Sequence, residues 1–417
     1  MKKSAFLFLE MMSLFLGLGF FVIWHLLFQF LEDRHGRRKY VPSEKQDFMS
    51  GNRCVMIPEV GEVPRFEPFR IGAEKWRDGI VVRSPNWLGD AVMSLPALLQ
   101  LKSLLPEFCG LFVVCPRGIA PLFRAMACVD RVIPVSNPHA FLSSEERQAV
   151  KRLLPGVGVL FNNSFRDALS LKLARVPMLF GAKARNRGWL LKRSYAFPKR
   201  RTAELNRPHQ AAKYMAIAEA LGAAPWDGAL PEMRDLTGRE EMAPELADLL
   251  GKERLLAVAG GAAYGAAKRW PAPSFRSVAE RWIREKDGFV VALGSKGERP
   301  IAEEILAGLP SDRVWNGSGR TSLEELMLIL KHSAMCVAND SGVMHLAALL
   351  GVPGVAPFGS TDPIATSPLS GRWRIVFDKQ ECSPCFRRVC PKGTRECFRS
   401  LTPEFVWEVL KDLPPRH

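Results

Sequence analysis

Short apolar runs, each about as long as a buried strand, alternate with amphipathic stretches from Gly79 onward. The predicted strands of the first half lie at residues 80–83, 111–115, 131–135, 157–161 and 178–180. The predicted helices between and after them lie at 90–105, 118–127, 143–153, 165–175 and 209–221. Strands and helices that alternate in this way are typical of an open parallel sheet with helices on both faces.

The second half repeats this pattern after a connection at Pro225–Gly251 that contains proline and acidic residues. Its predicted strands lie at 255–259, 289–293, 335–338 and 354–358, and its clearest helices at 322–332 and 402–413. A chain of 417 residues is too long for one compact core. We therefore predict two doubly wound α/β domains, at 78–240 and 241–417, with a ligand cleft between them.

Residues 336–360 carry the clearest chemical pattern, which predicts a strand, a turn, a helix and a second strand. Ser341 and Gly342 would leave free N–H groups at the helix N-terminus, an arrangement that binds phosphate, and His345 would add a donor. Asp340 lies beside them, although a carboxylate in contact with a diphosphate would repel it. We predict an anion site at the carboxyl edge of a parallel sheet, and the alternative is an ordinary capped helix.

A second candidate site follows the first predicted strand, where the loop at 84–89 leads into a helix that begins near Asp90. Asp90 is predicted to act as a general base, and Asn86 in the same loop is predicted to contact the same substrate. The alternative role of Asp90 is a helix cap. The helix N-terminus favours the carboxylate and so weakens it as a base, yet it could still accept a proton from a hydroxyl in the transition state.

The loop Gly260–Pro271 follows the first strand of the second half and is rich in Gly and Ala. It matches neither a Walker sequence nor a dinucleotide-binding glycine fingerprint, which disfavours a nicotinamide-dependent oxidoreductase. Its small residues leave room for a ligand, and Lys268 is predicted to place a positive charge on phosphate. Glu298, after the next strand, is predicted to accept ribose hydroxyls, with a stabilising role in the first turn of its helix as the alternative.

Residues 11–31 contain no Lys, Arg, Asp or Glu, and as a helix they would span about 31 Å, the thickness of a bilayer core. We predict that residues 1–35 form a transmembrane or membrane-associated anchor and that 36–77 form a linker. A cleaved signal peptide is disfavoured, because no small-residue cleavage site follows the run. Basic residues just after the run favour a cytoplasmic location for the rest of the chain.

The formal net charge is +15, and part of this excess is concentrated at Gly181–Arg201, which holds eight Lys or Arg and no acid. Aromatic and apolar residues alternate with these charges, which predicts a surface for an anionic, amphiphilic partner. Arg185 and Arg187 are the predicted contacts with that partner. The alternative is a solvated basic surface, and no nucleic-acid-binding motif accompanies the charge.

Four of the nine cysteines are close together near the C-terminus: Cys382, Cys385, Cys390 and Cys397. Their spacing suits a small structural zinc site, although the array lacks His and lies in a domain long enough to fold without metal. No catalytic metal or other cofactor is predicted. The cysteine content does not require an oxidising compartment.

Four segments of the chain together resemble glycosyltransferase family 9, specifically the ADP-heptose–lipopolysaccharide heptosyltransferases of the second-heptose type. The matching segments, in family order, are SPNWLGDAVMSLPAL (84–98), GGAAYGAAKRWP (260–271), NDSGVMHLAALLGVPGVAPFGSTDP (339–363) and CSPCFRRVCPKGTRECF (382–398). The resemblance covers about residues 79–413. It implies a GT-B architecture, in which two Rossmann-like domains bind the acceptor on the first domain and the nucleotide sugar on the second.

The resemblance also implies roles for individual residues. Asp90 matches the general base, and Lys268 matches a lysine that assists the phosphate leaving group. Glu298 lies where the family often has an acid on the ribose or adenine side. Ser341, Gly342 and His345, with Asp340 beside them, match the diphosphate-binding turn.

The implied reaction is metal-independent, inverting transfer of L-glycero-D-manno-heptose from ADP-heptose to the lipopolysaccharide inner core. The implied location is the cytoplasmic face of the bacterial inner membrane, with residues 1–35 as a single-pass anchor that the family does not explain. No feature of the sequence fixes the sugar nucleotide. A family member with another donor or acceptor, and a non-catalytic membrane-anchored binding protein, are therefore the alternatives.

Overall fold

A computed structural model describes residues 48–50, 53–197, 208–234 and 244–416. Its strands are β1 (Phe48–Ser50), β2 (Arg53–Met56), β3 (Gly79–Arg83), β4 (Gly110–Pro116), β5 (Arg131–Val135), β6 (Val157–Leu160), β7 (Met178–Ala182), β8 (Arg193–Tyr195), β9 (Leu255–Ala259), β10 (Phe289–Ala292), β11 (Val314–Asn316), β12 (Met335–Ala338), β13 (Gly354–Phe358) and β14 (Trp373–Asp378).

The α-helices of the described residues are α1 (Leu88–Met93), α2 (Leu95–Ser103), α3 (Ala120–Arg124), α4 (Ser144–Arg152), α5 (Phe165–Leu173), α6 (Gln210–Ala220), α7 (Pro244–Leu250), α8 (Ala272–Lys286), α9 (Arg299–Leu306), α10 (Leu323–His332), α11 (Gly342–Leu349), α12 (Pro363–Thr366) and α13 (Pro403–Lys411). Single 3-10 turns occur in several of the loops between these elements, including 188–190, 266–268 and 296–298.

The first sheet has six strands in the order β5-β4-β3-β6-β7-β8, and every pair in it is parallel. Strand β3 lies at its centre, and residues 79–83 are all buried because helices cover both faces of the sheet. The direction of winding reverses between β3 and β6, which is the strand order of a doubly wound fold. The prediction of a parallel α/β sheet in the first half is confirmed.

The second sheet has eight strands in the order β1-β2-β14-β13-β12-β9-β10-β11. Strands β9 to β14 repeat the winding order of the first sheet and are parallel, with the reversal between β9 and β12. Strands β1 and β2 extend this sheet as an antiparallel hairpin beside β14. In both sheets, ligands are expected at the carboxyl ends of the two strands that flank the reversal.

The hairpin corrects the prediction that residues 36–77 are a linker. Residues 53–56 pair in antiparallel register with residues 375–378 of β14, from Met56 opposite Ile375 to Arg53 opposite Asp378. Cys54 and Val60 are buried. Apolar side chains of this segment cover the second sheet and then the first, and their burial outweighs the Pro and charged residues that suggested a tether. Residues 36–47 lie outside the described part of the chain.

The predicted helix 90–105 is divided into α1 and α2 at Ser94. Pro96 explains the division, because proline has no N–H for a helical hydrogen bond and its ring collides with the preceding turn. The Ser94 hydroxyl donates to the carbonyl of Ala91, 2.7 Å away, and stabilises the end of α1. The division leaves α1 as a short helix whose first turn carries Asp90.

Other local predictions are confirmed at the helix N-termini. Ser322 and Glu325 form the predicted capping box of α10, and Thr402 caps α13 with Pro403 at its first position. The predicted anchor at residues 1–35 lies outside the described residues. Within the described ranges, no helix has both the length and the apolar character needed to cross a membrane.

Candidate active site

The loop after β3 rests on a buried guanidinium, that of Arg83. Arg83 donates to the Ser84 carbonyl and to Oδ1 of Asn86, each at 2.9 Å. Its Nε lies 3.3 Å from Oδ1 of Asp167, in an ion pair that lacks the alignment of a hydrogen bond. Both side chains are almost fully buried, so their attraction acts in a medium of low dielectric constant. The predicted substrate contact Asn86 is thus held in place by Arg83.

Asp90 lies in the first turn of α1 and is half-buried. The N-cap of α1 is Trp87, whose side chain makes no capping hydrogen bond. Asp90 is therefore not the N-cap that the alternative interpretation required. Its carboxylate is close to the positive end of the helix dipole, at the carboxyl edge of β3. The neighbouring Trp87 side chain is 59% exposed, so the loop is open to solvent beside this carboxylate.

Asn339, in the predicted turn after the strand β12, joins the two predicted loops of the second sheet. It is fully buried, its Oδ1 accepts from the N–H of Trp270 at 2.9 Å, and its Nδ2 donates to the Gly260 carbonyl at 2.7 Å. The side chain therefore holds the loop after β9 against the turn after β12. A polar residue directly after a strand, before Asp340, was the available signal.

Lys268 and Asp340 form an ion pair inside the cleft. Lys268 Nζ lies 2.6 Å from Oδ2 of Asp340, and the hydroxyls of Thr361 and Thr366 donate to the same oxygen at 2.7 and 3.3 Å. Three donors therefore offset the negative charge that was expected to repel a diphosphate. Lys268 is 12% exposed, so its position is fixed while part of its surface still faces the cleft.

The N-terminus of α11 carries the predicted anion site. Ser341 is its N-cap, makes no side-chain capping bond, and has a buried hydroxyl without a partner among the described residues. His345 is also buried, and its Nδ1 has no partner within the described part of the chain. Burial lowers the pKa of His345 to about 4, against the opposing influence of Asp340, so the ring is neutral near pH 7. Polar atoms of this kind, at a helix N-terminus, suit an anionic ligand.

The two helix N-termini meet at a glycine-to-side-chain contact. A Cβ on Gly89 would lie 2.8 Å from Cδ2 of His345, and a Cβ on Gly342 would lie 3.0 Å from Cβ of Leu88. Each helix therefore approaches the other where it has no side chain, and α1 packs directly on α11. The contact packs α1, which carries Asp90, against α11, whose N-cap is Ser341.

Glu298 lies in the 3-10 turn after β10, next to the glycine loop. Its Oε2 accepts from the N–H and the hydroxyl of Ser295, both at 2.8 Å, so the stabilising role predicted as the alternative is present. Its Oε1 faces Gly261 so closely that a Cβ there would lie 2.2 Å away. The structure places this carboxylate beside the second-sheet site, and contact with ribose stays a prediction.

Arg185 and Arg187 occupy different environments. Arg185 is exposed, as an acceptor contact must be. Arg187 is fully buried, and burial lowers its pKa to about 10. Its guanidinium donates to the backbone carbonyls of Asn162, Ser164 and Ala182, at distances of 2.8 to 3.3 Å. The predicted contact of Arg187 with a substrate therefore needs correction, because backbone acceptors already hold its N–H groups.

The predicted zinc site has no support in the structure. Over the described ranges, no group of three or more His, Cys, Asp or Glu side chains is arranged to hold a metal ion. Burial and, to a smaller extent, the neighbouring cysteines Cys382, Cys385 and Cys390 raise the pKa of Cys397 to about 11. A structural zinc at this cluster stays a prediction.

His209 is a buried residue that the sequence analysis did not single out. Its Nδ1 accepts from the N–H of Ala211 at 3.1 Å, so the proton is assigned to Nε2, which lies 2.8 Å from the carbonyl of Ser367. Burial lowers the pKa of His209 to about 4. The imidazole thus caps α6, beside the first sheet, and links it to the loop after α12 in the second. Its only signal in the sequence is its place before an amphipathic helix.

Residues 150–395 match the family described as glycosyltransferase family 9 (heptosyltransferase). The chain is similar to lipopolysaccharide heptosyltransferase 2 of Salmonella typhimurium, with 29% identity over 80% of this chain and 98% of that protein. It is 32% identical to lipooligosaccharide heptosyltransferase 2 of Haemophilus ducreyi, over 71% of this chain and 88% of that protein. Among solved structures, it is similar to Escherichia coli ADP-heptose lipopolysaccharide heptosyltransferase II, with a TM-score of 0.65, 25% identity, and coverage of 80% of this chain and 97% of that chain.

Proposed function

The chain belongs to glycosyltransferase family 9, and from this premise we propose that it transfers L-glycero-D-manno-heptose from ADP-heptose to the inner core of lipopolysaccharide. The observation that carries the proposal is the contact of α1 with α11, at Gly89 and His345. It packs the helix that carries Asp90, from one sheet, against the helix whose N-terminus is the proposed anion site, from the other. A transferase needs this combination, because a base must reach the acceptor while the nucleotide leaves.

In the proposed reaction, Asp90 accepts the proton of an acceptor hydroxyl as its oxygen attacks the anomeric carbon of the heptose. The bond from this carbon to the diphosphate breaks, and the electron pair leaves with ADP. The N–H groups at Ser341 and Gly342 stabilise the developing charge on the diphosphate. Attack from the side opposite ADP inverts the configuration of the sugar.

Lys268 contributes a fixed positive charge to the same step. Its partner Asp340 accepts three donors at one oxygen, so we assign Asp340 the role of holding Lys268 rather than of touching the substrate. The neutral ring of His345 avoids a second, mobile positive charge in the site. With these groups in place the leaving group does not require a divalent cation, and metal-independent transfer is part of the proposal.

We place the enzyme at the cytoplasmic face of the bacterial inner membrane, where a nucleotide sugar and a lipid-linked acceptor are both available. The uncharged run at 11–31 is its proposed anchor. The proposed acceptor is anionic, in keeping with the basic surface around Arg185. A donor other than ADP-heptose, or another acceptor, is the alternative within the family.

The test is transfer by the purified full-length chain to heptose-deficient lipopolysaccharide. ADP-heptose, UDP-glucose and GDP-mannose are offered separately, each with and without a chelator. We expect product from ADP-heptose alone and no effect of the chelator. Product from another nucleotide would move the substrate but keep the mechanism. ADP binding without product from any donor would favour a binding protein.

A further inference from the structure

An exposed aromatic and basic surface lies beside the first sheet, outside the cleft residues described above. It comprises Phe165, Arg166, Lys183, Arg185 and Trp189, and we call it the Trp189 face. Trp189 is 74% exposed, and its ring centroid lies 6.1 Å from that of Phe165. The three basic side chains are exposed as well. A tryptophan with most of its surface in water is unusual, since aromatic side chains lose more free energy than most others by such exposure.

The loop that presents this face is built rigidly. Arg185 and Asn186 have φ angles of +45° and +53°, in the left-handed region that favours glycine and asparagine. The buried guanidinium of Arg187 stabilises the turn, because it ties the loop to the carbonyls of Asn162 and Ser164 on the neighbouring loop. The exposed indole is therefore held outward by the fold.

The position of the Trp189 face relates it to the acceptor side of the cleft. The loop at 183–187 follows β7, and Phe165 opens the helix that follows β6. Both strands are parallel to β3, so their carboxyl ends share one sheet edge with Asp90. Two strand spacings separate β7 from β3, a distance of about 10 Å. A partner on this face would lie close to the predicted base and on the domain that the nucleotide site does not occupy.

The charges of this surface have one sign. The stretch 183–192 contains no acid, and Asp167, the acid nearest in sequence to Phe165, is buried against Arg83. An exposed indole among Lys and Arg matches the interface of a bilayer, where the ring enters the headgroup layer and the cations meet anionic lipids. A purely aqueous anion would leave the exposed indole without a partner.

We propose that the Trp189 face docks on the surface of an anionic bilayer and so presents a membrane-embedded acceptor to Asp90. This inference rests on the proposed function for the identity of the acceptor, but not for the contact itself. The contact would act in addition to any anchor at the N-terminus. It would fix which side of the folded body faces the lipid.

The test is hydroxyl-radical footprinting of the full-length chain, read by mass spectrometry at Trp189. Phe108 is the matched internal control, because it is 78% exposed and precedes β4, at the amino ends of the strands of the same sheet. Trp189 lies on the side of the carboxyl ends. The arms are phosphatidylcholine vesicles, vesicles that also contain phosphatidylglycerol, and a delipidated core oligosaccharide without vesicles. We expect protection of Trp189 only with the anionic vesicles, and unchanged oxidation of Phe108 in every arm.

Removing two positive charges from the Trp189 face sharpens the test. With Arg166→Gln and Lys183→Gln together, the lipid concentration for half-maximal protection should rise about 30-fold, from two lost contacts with anionic lipid. Equal oxidation in all arms, or equal protection by neutral vesicles, would overturn the proposal. Protection by the oligosaccharide alone would also overturn it and assign the face to sugar binding.

The footprinting experiment needs neither a sugar donor nor catalysis. A negative footprint would therefore refute the docking surface without refuting the proposed transferase activity. A kinetic arm connects the two. Trp189→Ala should raise KM for acceptor in anionic vesicles and leave kcat and the KM for a delipidated acceptor unchanged. A chain that transfers no heptose but still protects Trp189 would refute the function and keep the docking surface.

Discussion

Two strand–loop–helix units meet in the cleft, and they carry buried charges of opposite sign. Beneath the β3–α1 unit lies a cation, Arg83, and the helix above it presents a carboxylate. Beneath the β12–α11 unit lies an anion, Asp340, and the helix above it presents N–H groups. Each counter-charge, Asp167 or Lys268, comes from the strand–loop–helix unit across the reversal of its sheet. The same topology thus carries the predicted base in one unit and the predicted anion site in the other, over buried charges of opposite sign.

The largest expected effect comes from removing the charge that only the first unit presents. Asp90→Asn keeps the size of the side chain and removes its ability to accept a proton, so kcat should fall about 10²- to 10⁴-fold. The predicted anion site belongs to the other unit and stays intact, so the Kd for ADP should change far less than kcat does. Transfer assays and ADP calorimetry check the two halves. Near-normal turnover in this variant would refute the assignment of Asp90 as the base.

A smaller effect is expected when each buried pair is broken in turn. Arg83→Met removes the counter-charge of the buried Asp167 carboxylate, to which the Asn162 amide still donates at 2.5 Å, and should lower the free energy of unfolding by about 3–5 kcal/mol. Lys268→Met should cost less, about 1–3 kcal/mol, because Thr361 and Thr366 still donate to Asp340. Urea unfolding followed by tryptophan fluorescence compares the two variants.

A matched control tests the reason for that difference. Arg83→Met combined with Asp167→Leu removes both charges and should recover most of the lost stability. If Arg83→Met destabilised the chain no more than Lys268→Met, the lower solvent exposure of the Arg83–Asp167 pair would not increase its contribution to stability. The proposed contrast between the two units would then be wrong.

The smallest effect is expected at the contact between the units. Gly89→Ala places a methyl group 2.8 Å from the buried His345 ring, and should cost about 1–3 kcal/mol. Gly342→Ala meets Leu88 at 3.0 to 3.2 Å, so a smaller loss is expected. Thermal unfolding measures both. In a His345→Ala background the cost of Gly89→Ala should largely disappear, and an unchanged cost would show that the clash is elsewhere.

The sequence predicts the central strands of both sheets, because buried parallel strands are short and almost wholly apolar, whereas β8, β11 and β14 were not predicted. Residues 80–82 and 255–258 illustrate this, and both strands appear where expected. The helix N-caps at Ser322 and Thr402 were also predictable, since each hydrogen bond joins residues only three positions apart. The division of the predicted helix 90–105 into α1 and α2 was not predicted, although Pro96 indicates it.

The long-range partnerships could not be predicted in the same way. The pairing of Arg83 with Asp167 joins residues on different loops, and nothing in the spacing distinguishes buried Arg187 from exposed Arg185. Asn339 shows the same limit, because its hydrogen bonds with Trp270 and Gly260 depend on how closely the fold brings β9 and β12 together. The hairpin β1–β2 was read as a tether because pairing with β14 spans more than 300 residues of the chain.

That hairpin has a mechanical consequence. Because β2 belongs to the second sheet and β3 to the first, the backbone crosses between the two bodies at 57–78 and again between α6 and α7. The first crossing touches the end of α6, where the second crossing begins, since the N–H of Phe69 donates to the carbonyl of Ala220 at 2.7 Å. We expect two adjacent connections to restrict the relative motion of the two sheets more than a single connection would.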